Sequence, residues 1–546
     1  MRVHEIIART LTDSGVDVLF GLMGDANMLH ITDYIGSDGG RFVGAVTEGG
    51  AVGMADGYSR ASRAVGVATV THGPGITNCL TALTEAVRAS SALVVLCGDP
   101  IPRRLHLQRI DLAAIATAAG ARYHNVVHAD HVEGDLARLL AVAAADRVPV
   151  LVNIPAAMQM EDAAYVGLAR TFDPGRPTLT CDDPALDRAM GVIASARRPV
   201  VLAGRGAVDA GALADIVELA ELIGAPLATT ALARGAFGRH PWNLGVMGTV
   251  ATSLALEIIS EADCVIVFGA ALTTHTTDNE ALLRGKAVVQ CDVVAQRLVR
   301  PSPTMAPLLG DAREVARAIV TGLRAIGDMA HPAYLDGLAD RIAEHRPEAG
   351  FEDTSTERHV DMRTAMISLD RLLPADRVVV VDGGRFTPAP LKYLNVTTPS
   401  SVISAVSFGA IGLGIATAIG AAIGAAGRVT VGVIGDGGGM MALTELVTAV
   451  RLRLRLVIVV LNDGAYGAEY TKLAQYGVDP DYSLLEWPEF AGVARALGLA
   501  GMTVRTKHEL DALGPALDAV DAPLLIDIKA DPTVDISAER QVSRAR

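Results

Sequence analysis

Short apolar runs rich in β-branched residues recur along the chain, and many end near Gly, Asp or Asn before a helical pattern begins. Residues 65–70, 93–96, 148–152, 200–202 and 264–268 are of this kind, as are 287–289, 378–381, 429–434 and 456–461. Such runs predict strands buried on both faces, and their alternation with helices predicts parallel sheets. Ligand sites then lie at the carboxyl ends of strands, near topological switch points. Two segments break the rhythm. Residues 161–184 contain Asp-Pro-Gly-Arg-Pro, and residues 331–358 are charged and contain Arg-Pro-Glu-Ala-Gly. Both read as linkers. They divide the chain into three doubly wound parallel-sheet α/β domains, expected at 1–165, 185–330 and 355–535. No short-period repeat is present, which excludes solenoids.

One uncharged stretch ends at Gly427, and from Ser401 onward it is long enough to span a bilayer. It is dense in Gly, Ser and Thr and no basic cluster flanks it, so the expectation is a closely packed, buried Gly/Ala-rich helix. Composition agrees: 50% of residues are hydrophobic but only 4% aromatic, leaving Ala, Val, Leu and Ile to fill the cores. A length of 546 residues suits about three domains. The net charge of −14 argues against duplex nucleic acid and against anionic membrane. Cys79, Cys97, Cys181, Cys264 and Cys291 fit neither a disulfide framework nor zinc spacing and are expected as small core residues. The chain opens on an amphipathic helical pattern with no signal-like apolar region, so a cytoplasmic location is expected.

Two strand ends carry the most specific chemistry. The run 429–434 ends in Gly435-Asp436-Gly437-Gly438-Gly439. After a helical stretch, the run 456–461 ends in Asn462-Asp463-Gly464-Ala465-Tyr466-Gly467. Strand–helix–strand places these ends side by side. Hard oxygen ligands beside glycines that expose backbone N–H groups suit a magnesium ion bridging to a diphosphate. A second signal is Thr47-Glu48-Gly49-Gly50-Ala51-Val52-Gly53-Met54-Ala55-Asp56-Gly57-Tyr58, a Glu leading a small-residue helix. Taken alone, that Glu reads as a helix N-terminal charge.

Together these motifs resemble the thiamine-diphosphate-dependent enzymes of the acetolactate synthase and pyruvate decarboxylase superfamily, and the resemblance covers nearly the whole chain. It implies Asp436, the side chain of Asp463 and the backbone carbonyl of Ala465 as magnesium ligands. Asp463 departs from the pattern, which has Asn there, and adds negative charge beside an anionic diphosphate. The resemblance also implies Glu48 as the carboxyl that drives tautomerisation of the cofactor's aminopyrimidine. Gly409-Ala410-Ile411-Gly412-Leu413-Gly414 is similar to the stretch that cups the cofactor. There Ile411 would be the wedge under the thiazolium, or else ordinary core, and Gly409 would offer its carbonyl to the 4′-amino group. Gly73, Thr387, Gly435, Gly437, Gly438 and Tyr466 complete the implied cofactor-binding set. Because Glu48 and the metal site would come from different subunits, the resemblance implies an obligate homodimer with the active site at the interface, associating further as a tetramer.

The expected reaction is decarboxylation of a small 2-oxo acid, with carboligation to a second carbonyl as in acetolactate synthase. Gly73-Pro74-Gly75-Ile76-Thr77-Asn78 and Gln108 look like that branch. The alternative is a decarboxylase releasing an aldehyde. Asp25, in Phe20-Gly21-Leu22-Met23-Gly24-Asp25-Ala26-Asn27, and Glu469 match the acidic positions of such enzymes, although a turn residue and a solvated helix charge are equally ordinary readings. No His-His dipeptide occurs. His72 could relay protons, though an isolated His is more often structural. The loop 269–277 lacks the charge typical of FAD-containing synthases, so tightly bound FAD is not predicted. A silent, cofactor-binding subunit would be expected to lack the Glu or the metal ligands. Glu48, Asp436 and Asp463 are all present.

Overall fold

The computed structural model describes residues 1–37, 39–101, 106–167, 183–327 and 335–536. Cys181 and parts of both expected linkers lie outside the described residues.

Eighteen described strands form three six-stranded sheets, and all their pairings are parallel. The first sheet holds β1 (Val18–Gly21), β2 (Arg41–Gly44), β3 (Gly66–Thr69), β4 (Leu93–Cys97), β5 (Arg122–Asn125) and β6 (Pro149–Asn153), in the order β2-β1-β3-β4-β6-β5. The second holds β7 (Pro199–Ala203), β8 (Leu227–Thr229), β9 (Asn243–Val246), β10 (Cys264–Phe268), β11 (Ala287–Asp292) and β12 (Met305–Leu309), in the order β12-β11-β10-β7-β8-β9. The third holds β13 (Arg377–Val381), β14 (Val402–Ser404), β15 (Val429–Gly435), β16 (Leu456–Asn462), β17 (Ala500–Val504) and β18 (Leu524–Lys529), in the order β14-β13-β15-β16-β18-β17. The first and third sheets therefore share one topology. Each reverses its strand order at the same place, between β1 and β3 and between β13 and β15, where a crevice opens at the strand ends.

The central strands explain this arrangement. Every residue of β15 and β16 is buried, as continuous apolar runs require when helices cover both faces. One core cluster lies on one face of the third sheet and continues into the first domain. It passes through the helices Glu48–Ser62 and Gly414–Gly424, both rich in glycine and alanine. A Cβ at Gly420 would run into the carbonyl oxygen of Met54, and one at Gly57 into that of Thr417. Only hydrogen fits at either crossing point. Two buried carboxylates reinforce the contact. Glu85 accepts the N–H groups of Ser407 (2.8 Å) and Phe408 (2.6 Å), and Glu445 accepts those of Val46 (3.1 Å) and Thr47 (2.8 Å).

The stretch expected as one helix from Ser401 to Gly427 is divided. It contains β14, a loop, and a buried helix limited to Gly414–Gly424. Gly409 (φ +85°) and Gly412 (φ +84°) take left-handed conformations that end regular structure ahead of that helix. The described cysteines 79, 97, 264 and 291 are buried and unbridged. Among the described residues, no helix is long and apolar enough to cross a membrane.

Candidate active site

At the carboxyl end of β15, Asp436 opens the helix Asp436–Ala442, whose first turn is Gly437-Gly438-Gly439. Its Oδ1 accepts its neighbour's N–H at Gly437 (2.7 Å), and its Oδ2 accepts the N–H of Gly464 from the end of β16 (2.8 Å). Pairing of β15 with β16 puts Gly435 opposite Leu461, so Asp436 and Asp463 flank one point, as their spacing implies. Asp463 Oδ1 accepts the N–H of Ala465 (3.2 Å) and its Oδ2 is held by Arg385. Asn462 bridges away from this point on one side only: its Nδ2 donates to buried Asp527 (3.0 Å), while its Oδ1 accepts the Gly464 N–H (3.2 Å).

The electrostatics follow from burial. Asp436 is 3% exposed, and burial, then the charge of Asp463, push its carboxyl up to about 7. Burial raises Asp463 too, against the opposing pull of Arg385. Two buried carboxylates and the Ala465 backbone offer a hard, oxygen-only donor set, which fits magnesium and not a softer metal. Among the described residues, no group of three or more His, Cys, Asp and Glu side chains is placed to hold a metal.

Loop 382–387, at the end of β13, closes the crevice. Asp382 is buried and its carboxyl is pushed up to about 6 by that burial, against the N–H groups of Gly383, Gly412 and Gly414. It bonds Gly383 N–H (2.8 Å) and Gly412 N–H (3.0 Å), fixing the loop that carries Gly409 and Ile411. Thr387 Oγ1 donates to the Asp382 carbonyl (3.0 Å). Ile411 is 37% exposed, which removes the reading of it as ordinary core. Nothing lies within 4 Å of a Cβ built on Gly409. Tyr466 is exposed and its N–H bonds the carbonyl of Ser483 (2.9 Å). Glu469 is exposed in the first turn of the helix Gly467–Gln475.

A second set lies in the first domain. Glu48 is half-buried at the start of its helix, where Thr47 Oγ1 caps the N–H of Gly50, and Asn78 Nδ2 donates to Glu48 Oε2 (3.1 Å). His72 is buried, with Nε2 2.9 Å from Gln108 Oε1 and Nδ1 without a partner. Gly73 (φ +62°) lets the Gln108 segment approach, since a Cβ there would lie 2.7 Å from that of Gln108. Asp25 is exposed in a turn tied to Thr71 through the Ala26 N–H (3.3 Å). Glu48, His72, Gln108 and Asp25 thus gather around loop 71–78, while Asp436, Asp463, Ala465, Gly409 and Ile411 gather on the third sheet. Among the described residues, no hydrogen bond joins a member of one set to a member of the other. Asp382, Arg385 and Asn78 were not singled out by sequence. An Asp-Gly-Gly following an apolar run was the signal available for the first of these.

Comparison with known proteins agrees with this layout. Residues 1–115 match the N-terminal TPP binding domain of thiamine pyrophosphate enzymes, 186–319 their central domain, and 382–528 their C-terminal TPP binding domain. The chain belongs to the thiamine pyrophosphate enzyme family. It is 29% identical to the acetolactate synthase isozyme 3 large subunit of Escherichia coli K12, over 97% of this chain and 94% of that protein. It is 28% identical to a sulfoacetaldehyde acetyltransferase of Castellaniella defragrans, over 96% and 91% respectively. Among solved structures, a thiamine diphosphate-dependent 4-hydroxybenzoylformate decarboxylase of Rhodococcus jostii RHA1 superposes with a TM-score of 0.80. The match covers 97% of this chain and 99% of that one, at 21% identity, a likeness of fold. The protein is therefore a thiamine-diphosphate-dependent enzyme.

Proposed function

We propose that this enzyme decarboxylates a small 2-oxo acid and joins the retained fragment to a second carbonyl, in the manner of an acetolactate synthase. The observation that carries the reading is the convergence of Asp436 and Asp463 at adjacent strand ends, with Glu48 leading a capped helix in the domain of matching topology. Near full-length similarity to an acetolactate synthase and to an acetyltransferase supports the carboligating branch.

When bound, thiamine diphosphate would supply the nucleophilic carbon and the electron sink that such a reaction needs. The chain's own groups would do the rest. Asp436, Asp463 and the Ala465 carbonyl would hold magnesium, and the N–H of Gly438 in the first turn of the helix Asp436–Ala442 would face the diphosphate. Glu48, oriented by Asn78, would hold a proton against the pyrimidine ring nitrogen. The Gly409 carbonyl would accept from the 4′-amino group, and Ile411 would set the angle between the rings. The His72–Gln108 pair would bind and orient the reacting carbonyl.

The two sets would meet between two copies of the chain, making an obligate homodimer and, beyond it, a tetramer. Apolar side chains left on the surface support this. Phe408, Ile411, Met441 and Tyr466 are exposed on the elements that carry the metal set, and Val46 is exposed two residues before Glu48. The three units would run over 1–165, 185–330 and 355–535, and a cytoplasmic location is part of the same proposal.

A second reading is a decarboxylase that releases an aldehyde. It is favoured by Asp25, whose turn is tied to the residue preceding His72, and by Glu469, which follows the metal loop by less than two helical turns. Product analysis by proton NMR, with magnesium, thiamine diphosphate and a panel of 2-oxo acids, separates the two. Acetolactate or another acyloin, lost in E48Q, is expected. Free aldehyde alone, lost in D25N and E469Q, would establish the second reading instead.

A further inference from the structure

Asp463 places a carboxyl group where the resembled pattern has an amide, beside Asp436 and facing the place proposed for a diphosphate. Left unanswered, its negative charge would repel the anion and add to the repulsion between the two carboxylates. A cation answers it. Arg385, from the loop after β13, points both Nε (3.0 Å) and Nη2 (2.7 Å) at Oδ2 of Asp463. Its remaining donors are taken by the carbonyls of Pro532 (2.9 Å), Val534 (2.7 Å) and Asp531 (3.1 Å). The two side chains are 8% and 7% exposed. Room for them is built in, because a Cβ at Gly467 would lie 2.5 Å from Asp463 Oδ2 and 2.6 Å from Arg385 Nε. Oδ1 of Asp463 stays outside the guanidinium fork.

We propose that Arg385 is a positioning residue that makes Asp463 behave as an amide-like ligand. The guanidinium occupies Oδ2 and cancels the charge, leaving Oδ1 as a single oxygen for the metal. The pocket then carries the charge of Asp436 alone. This rests on the reading of Asp436, Asp463 and Ala465 as the magnesium–diphosphate site.

The test is a double-mutant cycle on the full-length protein, read by equilibrium binding. Mn²⁺ binding without cofactor is followed by electron paramagnetic resonance. Thiamine diphosphate binding at saturating Mg²⁺ is followed by calorimetry. R385Q restores an uncompensated carboxylate, so bare Mn²⁺ should bind more tightly while thiamine diphosphate binds about tenfold more weakly. D463N leaves an uncompensated cation, so Mn²⁺ should bind more weakly. R385Q/D463N should return both affinities close to wild type. If R385Q weakens both ligands and the double variant does not recover, Arg385 only anchors the segment 531–534 or touches the diphosphate itself, and the proposal is wrong. Unchanged affinities in both single variants also overturn it. Should R385Q fail to fold, R385Q/D463N decides: a folded double variant with both affinities close to wild type supports the pairing, and weakened binding of both ligands overturns it. A wild-type protein that binds neither Mg²⁺ nor thiamine diphosphate would instead defeat the reading of the site, and this inference with it.

Discussion

Asp436 accepts the backbone N–H of Gly464 through Oδ2 at 2.8 Å, so the side chain at the end of one strand fixes the loop leaving its neighbour. The same carboxylate also bonds the first glycine of its own helix. A group that organises two loops and faces a second buried carboxylate is placed both to shape the proposed metal site and to bind there.

Replacing Asp436 by Ala should therefore remove the metal-dependent affinity for thiamine diphosphate, by at least about 100-fold, the upper end of what even outer-shell partners contribute. Calorimetry at fixed Mg²⁺ measures it. Loss of the Gly464 anchor alone would weaken binding less, because that N–H retains the Asn462 side chain as a second acceptor at 3.2 Å.

Glu48 and Asn78 make a paired prediction. E48Q should bind the cofactor yet lose turnover by about 10²–10⁴-fold, the range of a positioned proton-transfer group. Exchange of the C2 hydrogen of bound thiamine diphosphate, followed by NMR after deuterium mixing, should slow in parallel. N78A leaves the carboxyl in place but untethered, and should slow the same exchange by a smaller factor.

The sequence made the strands and the two aspartates readable because both are local signals. Continuous apolar runs marked β15 and β16, and glycines after each run marked the turns. Arg385 and Asn78 were not readable, since their partners lie elsewhere in the chain: Arg385 meets Asp463 and the carbonyls of 531–534 only after the third sheet has formed. Glu85 and Glu445 carry no local signal for the same reason, each bonding backbone more than 300 residues away. The stretch 401–427 misled because apolar composition says nothing of the positive φ at Gly409 and Gly412 that limits the helix.

Acid sensitivity should centre on His30. Its ring is buried between Gln159 and Thr69, and burial lowers its pKa from 6.5 to about 4. The unfolded chain takes up a proton near pH 6.5, whereas the folded one resists until about 4. The stability from neutral His30 is therefore complete above pH 6.5 and is lost as pH falls towards 4, by up to about 1.4 kcal/mol per pH unit. Melting curves from pH 7.5 to 4 should show a steeper fall for wild type than for H30Q.

Two glycines should respond in opposite directions to enlargement. G191A, on an exposed position of the helix Asp183–Ser195 with nothing within 4 Å of its Cβ, should stabilise by about 0.5–1 kcal/mol. G420A drives a methyl into the Met54 carbonyl and should destabilise by more than the 1–3 kcal/mol usual for overpacking, since backbone cannot yield as a side chain does. Thermal unfolding of both variants checks the contrast.

The crossing at Gly57 and Gly420 reaches beyond stability. With backbone against backbone, the first and third domains of one chain behave as a single casting, not as jaws on a hinge. Substrate entry and product escape then fall to surface loops and, in the homodimer proposed above, to the seam between its two copies. In that proposed dimer, the rate at which the seam breathes would cap turnover.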